Sequence, residues 1–584
     1  MRHTASQTRS THAIRRPATH TLAAGLLAAL VAGCSTTHES PVAEEAGPFA
    51  QAYRGAPSPD AARRAAPPAP PAPAPTAALR MVAPSGAMPF PPPAAPPANT
   101  ENYADIDDNP VHRTSAQPVS TFSVDVDTGS YSNVRRMLLD GVRPPADAVR
   151  AEEFINYFDY GHPAPVSRDA PFRVSTELAP APWNAKRQLL MIGIKGYDIP
   201  REQLPPANLV LLVDTSGSMQ SADKLPLLKR AFGMLVRQLR PQDTLSIVAY
   251  AGSAGLVLPP TAGDRQGEIL AALSRLQAGG STNGGEGIAL AYDLARQSFV
   301  EGGSNRVLLA TDGDFNVGTV DQGALETLVA DQRASGIALT TLGFGTGNYN
   351  DALAERLADL GNGNHAYIDS ALEARRVLVE AMGSTLATIA SDVKVQVEFN
   401  PAVVAEYRLV GYENRLLRNE DFANDKVDAG EIGAGHEVTA LYEITPVGSG
   451  AARLPELRYG DKAARTEAGT HEVAHVRLRY KQPGATDSRL LETPVLRSQL
   501  REAPSDGLRF AAAVAGFADL LRGGSRTDGW GWDGVLASAR DARGGAAPGL
   551  RAEFVELVEL ARPLVEVAAP ASGRDEATAA AAGG

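Results

Sequence analysis

Val210-Leu211-Leu212-Val213-Asp214-Thr215-Ser216-Gly217-Ser218-Met219 is the stretch from which the rest of the chain can be read. A short apolar run bounded by turn residues reads as a buried strand. Here the run breaks directly into one carboxylate and two hydroxyls, spaced Asp214-x-Ser216-x-Ser218. All three are hard oxygen donors, with no thiolate or imidazole among them. Such a set suits Mg²⁺, Mn²⁺ or Ca²⁺ rather than zinc.

Two further segments supply the same chemistry. Gly279-Gly280-Ser281-Thr282-Asn283-Gly284 reads as a loop between helical stretches and offers the hydroxyl of Thr282. Arg306-Val307-Leu308-Leu309-Ala310-Thr311-Asp312-Gly313 reads as a second apolar strand ending in Asp312. Taken singly, each is a strand-end turn of the kind Asp, Ser and Gly favour anyway. Taken in order, they resemble the von Willebrand factor type A family. Its metal-ion-dependent adhesion site (MIDAS) combines Asp-x-Ser-x-Ser with a Thr from a second loop and an Asp from a third. The resemblance implies a magnesium site, or Mn²⁺/Ca²⁺ in its place, with Asp214, Ser216, Ser218, Thr282 and Asp312 as ligands. It implies direct coordination by the two serine hydroxyls and direct or water-mediated contact for the others. It also implies one open position that a carboxylate from a partner protein fills. Gly217, Gly279, Gly280, Gly284 and Gly313 are expected to let the loops bend close to the cation. Asp314 reads as solvent-exposed rather than supporting, and Asn283 as holding its loop or capping the next helix.

Outward from this stretch, residues 205–390 alternate apolar runs with amphipathic ones. Strands are expected at 208–213, 244–250, 306–311, 337–343 and 365–368. Helices are expected near 223–239, 265–277, 285–299, 322–335, 350–360 and 371–390. That alternation predicts a doubly wound α/β fold with a mostly parallel sheet, Rossmann-like, as in von Willebrand factor A domains. Ligands in such sheets bind beyond the carboxyl ends of the strands, which is where Asp214 and Asp312 fall.

The flanks differ in character. Residues 101–204 read as an α+β companion domain, with a strand at 121–126, helices at 130–140 and 151–157, and strands at 172–178 and 188–195. Residues 391–565 read as β-rich and then helical, with strands at 392–400, 405–411, 436–445 and 472–481 and helices at 507–523, 532–542 and 550–561. Asp125-Val126-Asp127-Thr128-Gly129-Ser130-Tyr131-Ser132 and Glu152-Glu153-Phe154-Ile155-Asn156-Tyr157-Phe158 resemble the companion region of the YfbK-like bacterial lipoproteins of this family. The tail at 566–584 is Ala/Gly-rich and expected to be disordered.

The N-terminus carries an address. Arg2, Arg9, Arg15 and Arg16 precede a short apolar stretch that ends Leu30-Val31-Ala32-Gly33-Cys34. Residues 1–34 therefore read as a secretory signal, too short in its apolar part to span a bilayer of about 20 residues. The ending resembles the lipobox of bacterial lipoproteins, which implies lipidation of Cys34, the single cysteine of the chain. Ser35 after it implies the outer membrane. Residues 35–100 are rich in Pro and Ala and are expected to form a disordered, extended stalk. The expected location is the bacterial cell envelope, anchored by lipid.

Composition excludes other classes. A net charge of −12 argues against nucleic acid as a partner. The ten histidines show no zinc spacing, and no phosphate-binding G-x-x-x-x-G-K-[ST] loop occurs. Ser221-Ala222-Asp223-Lys224 matches an S-x-x-K nucleophile pattern but has none of its companion motifs, and it is expected at the start of a surface helix. Asp127-Thr128-Gly129 lacks the second triplet of an aspartic protease, and Asp125 with Asp127 lacks the other ligands of a calcium loop. Trp183, Trp530 and Trp532 read as packing. The leading expectation is a non-enzymatic binding protein that captures an acidic side chain of a protein partner. The alternatives are a metal-dependent hydrolase with His365 or Glu286 as general base, and a structural envelope protein whose metal steadies the loops.

Overall fold

The computed structural model describes residues 99–281, 284–313, 322–455, 471–543 and 549–566. Cys34 with the signal region, the stalk through residue 98, and the tail from residue 567 lie outside these. Among the described residues no helix is long and apolar enough to cross a membrane.

Six strands build the central sheet: β1 (Ala207–Asp214), β2 (Thr244–Tyr250), β3 (Ala254–Ala262), β4 (Ser304–Thr311), β5 (Ile337–Phe344) and β6 (His365–Ile368). Their order is β6-β5-β4-β1-β2-β3. All neighbours are parallel except β2 and β3. Every residue of β1 is buried, because helices cover both faces. Leu209, Leu211 and Val213 pack with Leu228, Ala231 and Phe232 of α1 (Leu225–Val236) and Ile269 of α2 (Gln266–Arg275). Val210 and Leu212 point the other way. They meet Ile288 and Tyr292 of α3 (Gly284–Gln297), with Leu325 of α4 (Gln322–Arg333) and Leu353 and Leu357 of α5 (Asp351–Leu360) in the same cluster. The period of two in β1 thus feeds two separate apolar layers, and the fold is the doubly wound sheet expected.

Two local expectations fail for physical reasons. Strand β3 was not foreseen because it contains Gly255, Pro259 and Pro260. Proline cannot donate to a ladder and is tolerated on an edge strand, which is where β3 lies. The single helix expected at 371–390 is instead Ala371–Arg375, a π turn at Arg376–Glu380 and Met382–Leu386, after which strand Thr388–Phe399 begins.

The stretches before and after the central domain fold together. Strands Phe172–Ala181 and Asn184–Gly196 share an antiparallel sheet with Val404–Val410 and Glu437–Pro446. A second sheet joins Thr388–Phe399 to Glu472–Lys481, Ser488–Leu496 and Gly430–Gly433, and Val119–Ser123 pairs with Thr388–Phe399. One apolar cluster, including Phe122, Ile192, Val397, Leu409 and Tyr442, draws on both sheets. Helices Gly129–Leu139 and Ala151–Asn156 likewise pack with Asp506–Leu521, Trp532–Asp541 and Leu550–Glu566. The described residues of 101–204 and 391–565 are therefore halves of one body into which the central domain is inserted. Trp183 and Trp530 meet within it, ring centroids 5.7 Å apart, and Trp183 Nε1 donates to Glu443 at 2.7 Å.

Buried ion pairs join this body to the central domain. Arg150, 2% exposed, donates to Glu153 and, at 2.5 Å, to Asp351 Oδ2 on α5. Arg415 reaches Glu355 of α5 at 3.7 Å and Asp359, while within its own body it pairs with Asp125 at 3.1 Å and Asp127 at 3.3 Å, which accounts for those two aspartates. Arg135 spans Asp369 and Glu373 at 2.6 and 2.9 Å. Burial pushes the Asp351 carboxyl up, but Arg150 and His365 hold it below the ordinary carboxylate range.

His162 gives the body a pH dependence. Its buried ring lies against Gly193 and within 3.0 Å of Thr439 Oγ1. Burial lowers its pKa from 6.5 to about 4. The unfolded chain therefore takes up this proton first, so the contribution is present above pH 6.5 and is lost as pH falls toward 4. Linkage over that interval caps the loss at about 3 kcal/mol. Urea denaturation of His162→Gln is expected to show a shallower fall in stability from pH 6.5 to 4.5 than wild type. Parallel curves would exclude His162 as a source.

Candidate metal centre

β1 and β4 are parallel neighbours with Val213 opposite Ala310. Their register brings Asp214, Thr311 and Asp312 to the same end of the sheet. Both carboxylates are fully buried. Asp214 Oδ1 accepts the backbone N–H of Ser216 at 2.8 Å, closing the turn. Asp214 Oδ2 accepts from the hydroxyls of Tyr250 and Thr311, each at 3.3 Å. Ser216 Oγ and Ser218 Oγ lie 2.9 Å apart. Ser216 is buried, whereas Ser218 is exposed, so the hydroxyl pair runs from the sheet end toward solvent.

The glycine loop is stitched to this turn. Gly279 N–H donates to Thr215 O at 2.8 Å, and Gly217 N–H to Gly280 O at 3.1 Å. The loop reaches Ser281 beside the Asp-x-Ser-x-Ser turn; Thr282 and Asn283 lie outside the described residues, as does Asp314. Gly313 has φ +88°, and a Cβ there would collide with the backbone of Tyr349 and Asn350. Asp312 can sit this close to the β5–α5 loop only because glycine follows it.

Burial raises the Asp214 carboxyl to about 6. The Ser216 N–H and hydroxyl oppose that rise, and the negative charge of Asp312 adds to it. Two buried carboxylates, the charge of Asp312 adding to the cost of ionising Asp214, with hydroxyls alongside, form a hard-oxygen set that fits a small divalent cation. Among the described residues no group of three or more His, Cys, Asp or Glu could hold a metal ion. Any cation here would therefore rest on hydroxyls as much as on carboxylates.

Several residues that sequence reasoning passed over belong to the site. Lys224 was expected on a surface helix, yet it is 6% exposed and its ammonium donates to Asp312 Oδ2 at 2.9 Å. The same ammonium donates to Asn348 Oδ1 at 2.8 Å. Asn348 lies in the 345–350 loop that follows β5. The strand-end rule that located Asp214 and Asp312 would have located it too. Of the two suggested general bases, His365 lies elsewhere. His365 opens β6, three strand spacings or about 14 Å across the sheet from β1. Its ring is enclosed by Thr341 Oγ1 and Tyr349 OH, each at 3.0 Å. Glu286 is exposed on the first turn of α3.

Comparison with known proteins agrees with this architecture. Residues 209–314 match the family model of the von Willebrand factor type A domain. Residues 97–191 match a model described as von Willebrand factor, and residues 384–564 the C-terminal model of uncharacterized protein YfbK. Uncharacterized protein YfbK of Escherichia coli (strain K12) is 48% identical over 476 residues, covering 80% of this chain and 82% of its own. Uncharacterized protein sll0103 of Synechocystis is 26% identical over 347 residues, covering 58% of this chain and 76% of its own. Among solved structures, a von Willebrand factor type A protein from Catenulispora acidiphila covers 66% of this chain and 89% of its own, at 14% identity and a TM-score of 0.39. The domain between the two halves of the flanking body is a von Willebrand factor type A domain, and the chain belongs to the YfbK family.

Proposed function

We propose that this chain is a lipid-anchored envelope protein that binds a protein partner through a divalent cation held by Asp214, Ser216, Ser218, Thr282 and Asp312. One observation carries the reading. Two buried carboxylates and a hydroxyl pair 2.9 Å apart converge where β1 and β4 end, with Ser218 opening to solvent. Mg²⁺ is the cation of choice, with Mn²⁺ or Ca²⁺ as substitutes. When bound, it supplies an electrophilic coordination position. The chain's residues do the rest: Asp214 and Asp312 supply charge that burial keeps water from screening, and the serines supply neutral donors. With few formal charges on its own side, the site suits a partner that presents an acidic side chain. Membrane attachment rests on the lipobox-like sequence ending in Cys34 and on the Pro/Ala stalk after it, and the following Ser35 favours the outer membrane. The net charge of −12 argues against nucleic acid as a partner.

Full-length protein immobilised and exposed to envelope extract is expected to retain its partner in Mg²⁺, to release it in EDTA, and to recover it in Mn²⁺. Retention that is indifferent to chelator would refute the cation-dependent reading. For the anchor, Cys34→Ser is expected to move the protein from the membrane to the soluble fraction. An unchanged distribution would remove lipidation from the account.

A further inference from the structure

Lys224 is built into the metal centre. Its stem lies along Gly345, where φ is +75° and any Cβ would run into the lysine's methylenes. Its ammonium is divided between Asp312 and Asn348. The loop that carries Asn348 is clamped in turn by the segment just after the stalk. Thr100 N–H donates to Gly347 O at 2.8 Å, Asn102 N–H to Tyr349 O at 2.9 Å, and Gly347 N–H to Glu101 Oε1 at 2.9 Å. This ammonium is therefore a fixed interior charge. It is unlike a surface lysine, whose charge wanders and is screened by water.

We infer that Lys224 is a resident counter-cation that positions Asp312 and sets how tightly the site holds a divalent ion. The inference rests on reading Asp214, Ser216, Ser218 and Asp312 as cation donors. Two consequences have opposite signs. Without metal, Lys224 gives a buried carboxylate its counter-charge and stabilises the fold. With metal, a fixed positive charge on a shared ligand repels the incoming ion, in surroundings that screen less than water. An acidic group from a partner offsets that repulsion, so cation and partner each strengthen the other's binding, by the same factor in both directions. The site is thereby held at low cation affinity until an acidic partner arrives.

The test is Mn²⁺ binding to the full-length protein, followed by paramagnetic resonance of free Mn²⁺, with melting temperature in EDTA measured in parallel. Lys224→Met is expected to bind Mn²⁺ about tenfold tighter than wild type, within the roughly 5–150-fold of ordinary coupling. It is also expected to melt lower in EDTA and to gain more stability from Mn²⁺. Should that variant fail to fold without metal, Lys224→Gln, which keeps a donor near Asp312, is expected to show the same tightening. A lysine acting only as a strut would give the reverse, because losing it would loosen Asp312 and weaken Mn²⁺ binding. Unchanged or weaker affinity in both neutral variants, with wild type binding Mn²⁺, overturns the inference alone. No Mn²⁺ binding by wild type overturns it together with the reading beneath it.

Discussion

Asp214→Ala is expected to abolish cation-dependent partner capture and to lower Mn²⁺ affinity at least about a hundredfold, since even residues behind metal ligands cost roughly 10–100-fold when changed. The fold should survive the change. Asp214 sits at the end of a strand whose apolar residues are anchored in two layers. Its carboxyl is raised to about 6 by burial, with Asp312 adding to the rise. A carboxyl with a raised folded-state pKa favours folding while protonated and opposes it once ionised above that pH. At pH 7.5 in EDTA, removing this charge should therefore leave the melting temperature equal to or above that of wild type. A variant that loses capture and also unfolds would mean that Asp214 serves the sheet end structurally.

Arg150→Met should destabilise the protein by about 3–5 kcal/mol, the usual cost of removing one partner from a buried ion pair. Arg150 is 2% exposed, and Glu153, Asp351 and Glu355 all face it. Losing it leaves buried carboxylates without their main counter-charge. It also cuts a bond between α5 of the central domain and helix Ala151–Asn156 of the flanking body. Urea denaturation followed by circular dichroism measures the effect, and a loss below 1 kcal/mol would show that the remaining partners absorb the change. Because Arg150 does not touch Asp214 or Asp312, residual folded protein should keep its cation affinity.

The candidate site was legible in the sequence where chemistry and chain position coincide. Asp214 and Asp312 stand at the ends of apolar runs, and their register across β1 and β4 follows from parallel pairing. The central sheet was legible for the same reason: hydrophobic periodicity is local. Strand β3 was hidden by Pro259 and Pro260, whose usual meaning is a loop. The flanking body was hidden more deeply. Strand Asn184–Gly196 pairs with Glu437–Pro446 across the whole inserted domain, and no periodicity within either strand reports its partner. Lys224 was misjudged because a lysine at a helix start belongs in solvent by default. The glycine at 345, the carboxylate of Asp312 and the amide of Asn348, all remote in sequence, create its buried slot.

The most direct measurement is a calorimetric titration of Mn²⁺ into the full-length protein beside Asp214→Ala and Asp312→Ala. The account predicts one saturable site in wild type, displaced by excess Mg²⁺, absent in Asp214→Ala and strongly weakened in Asp312→Ala. The same saturable binding in all three proteins, or none in wild type, would contradict it.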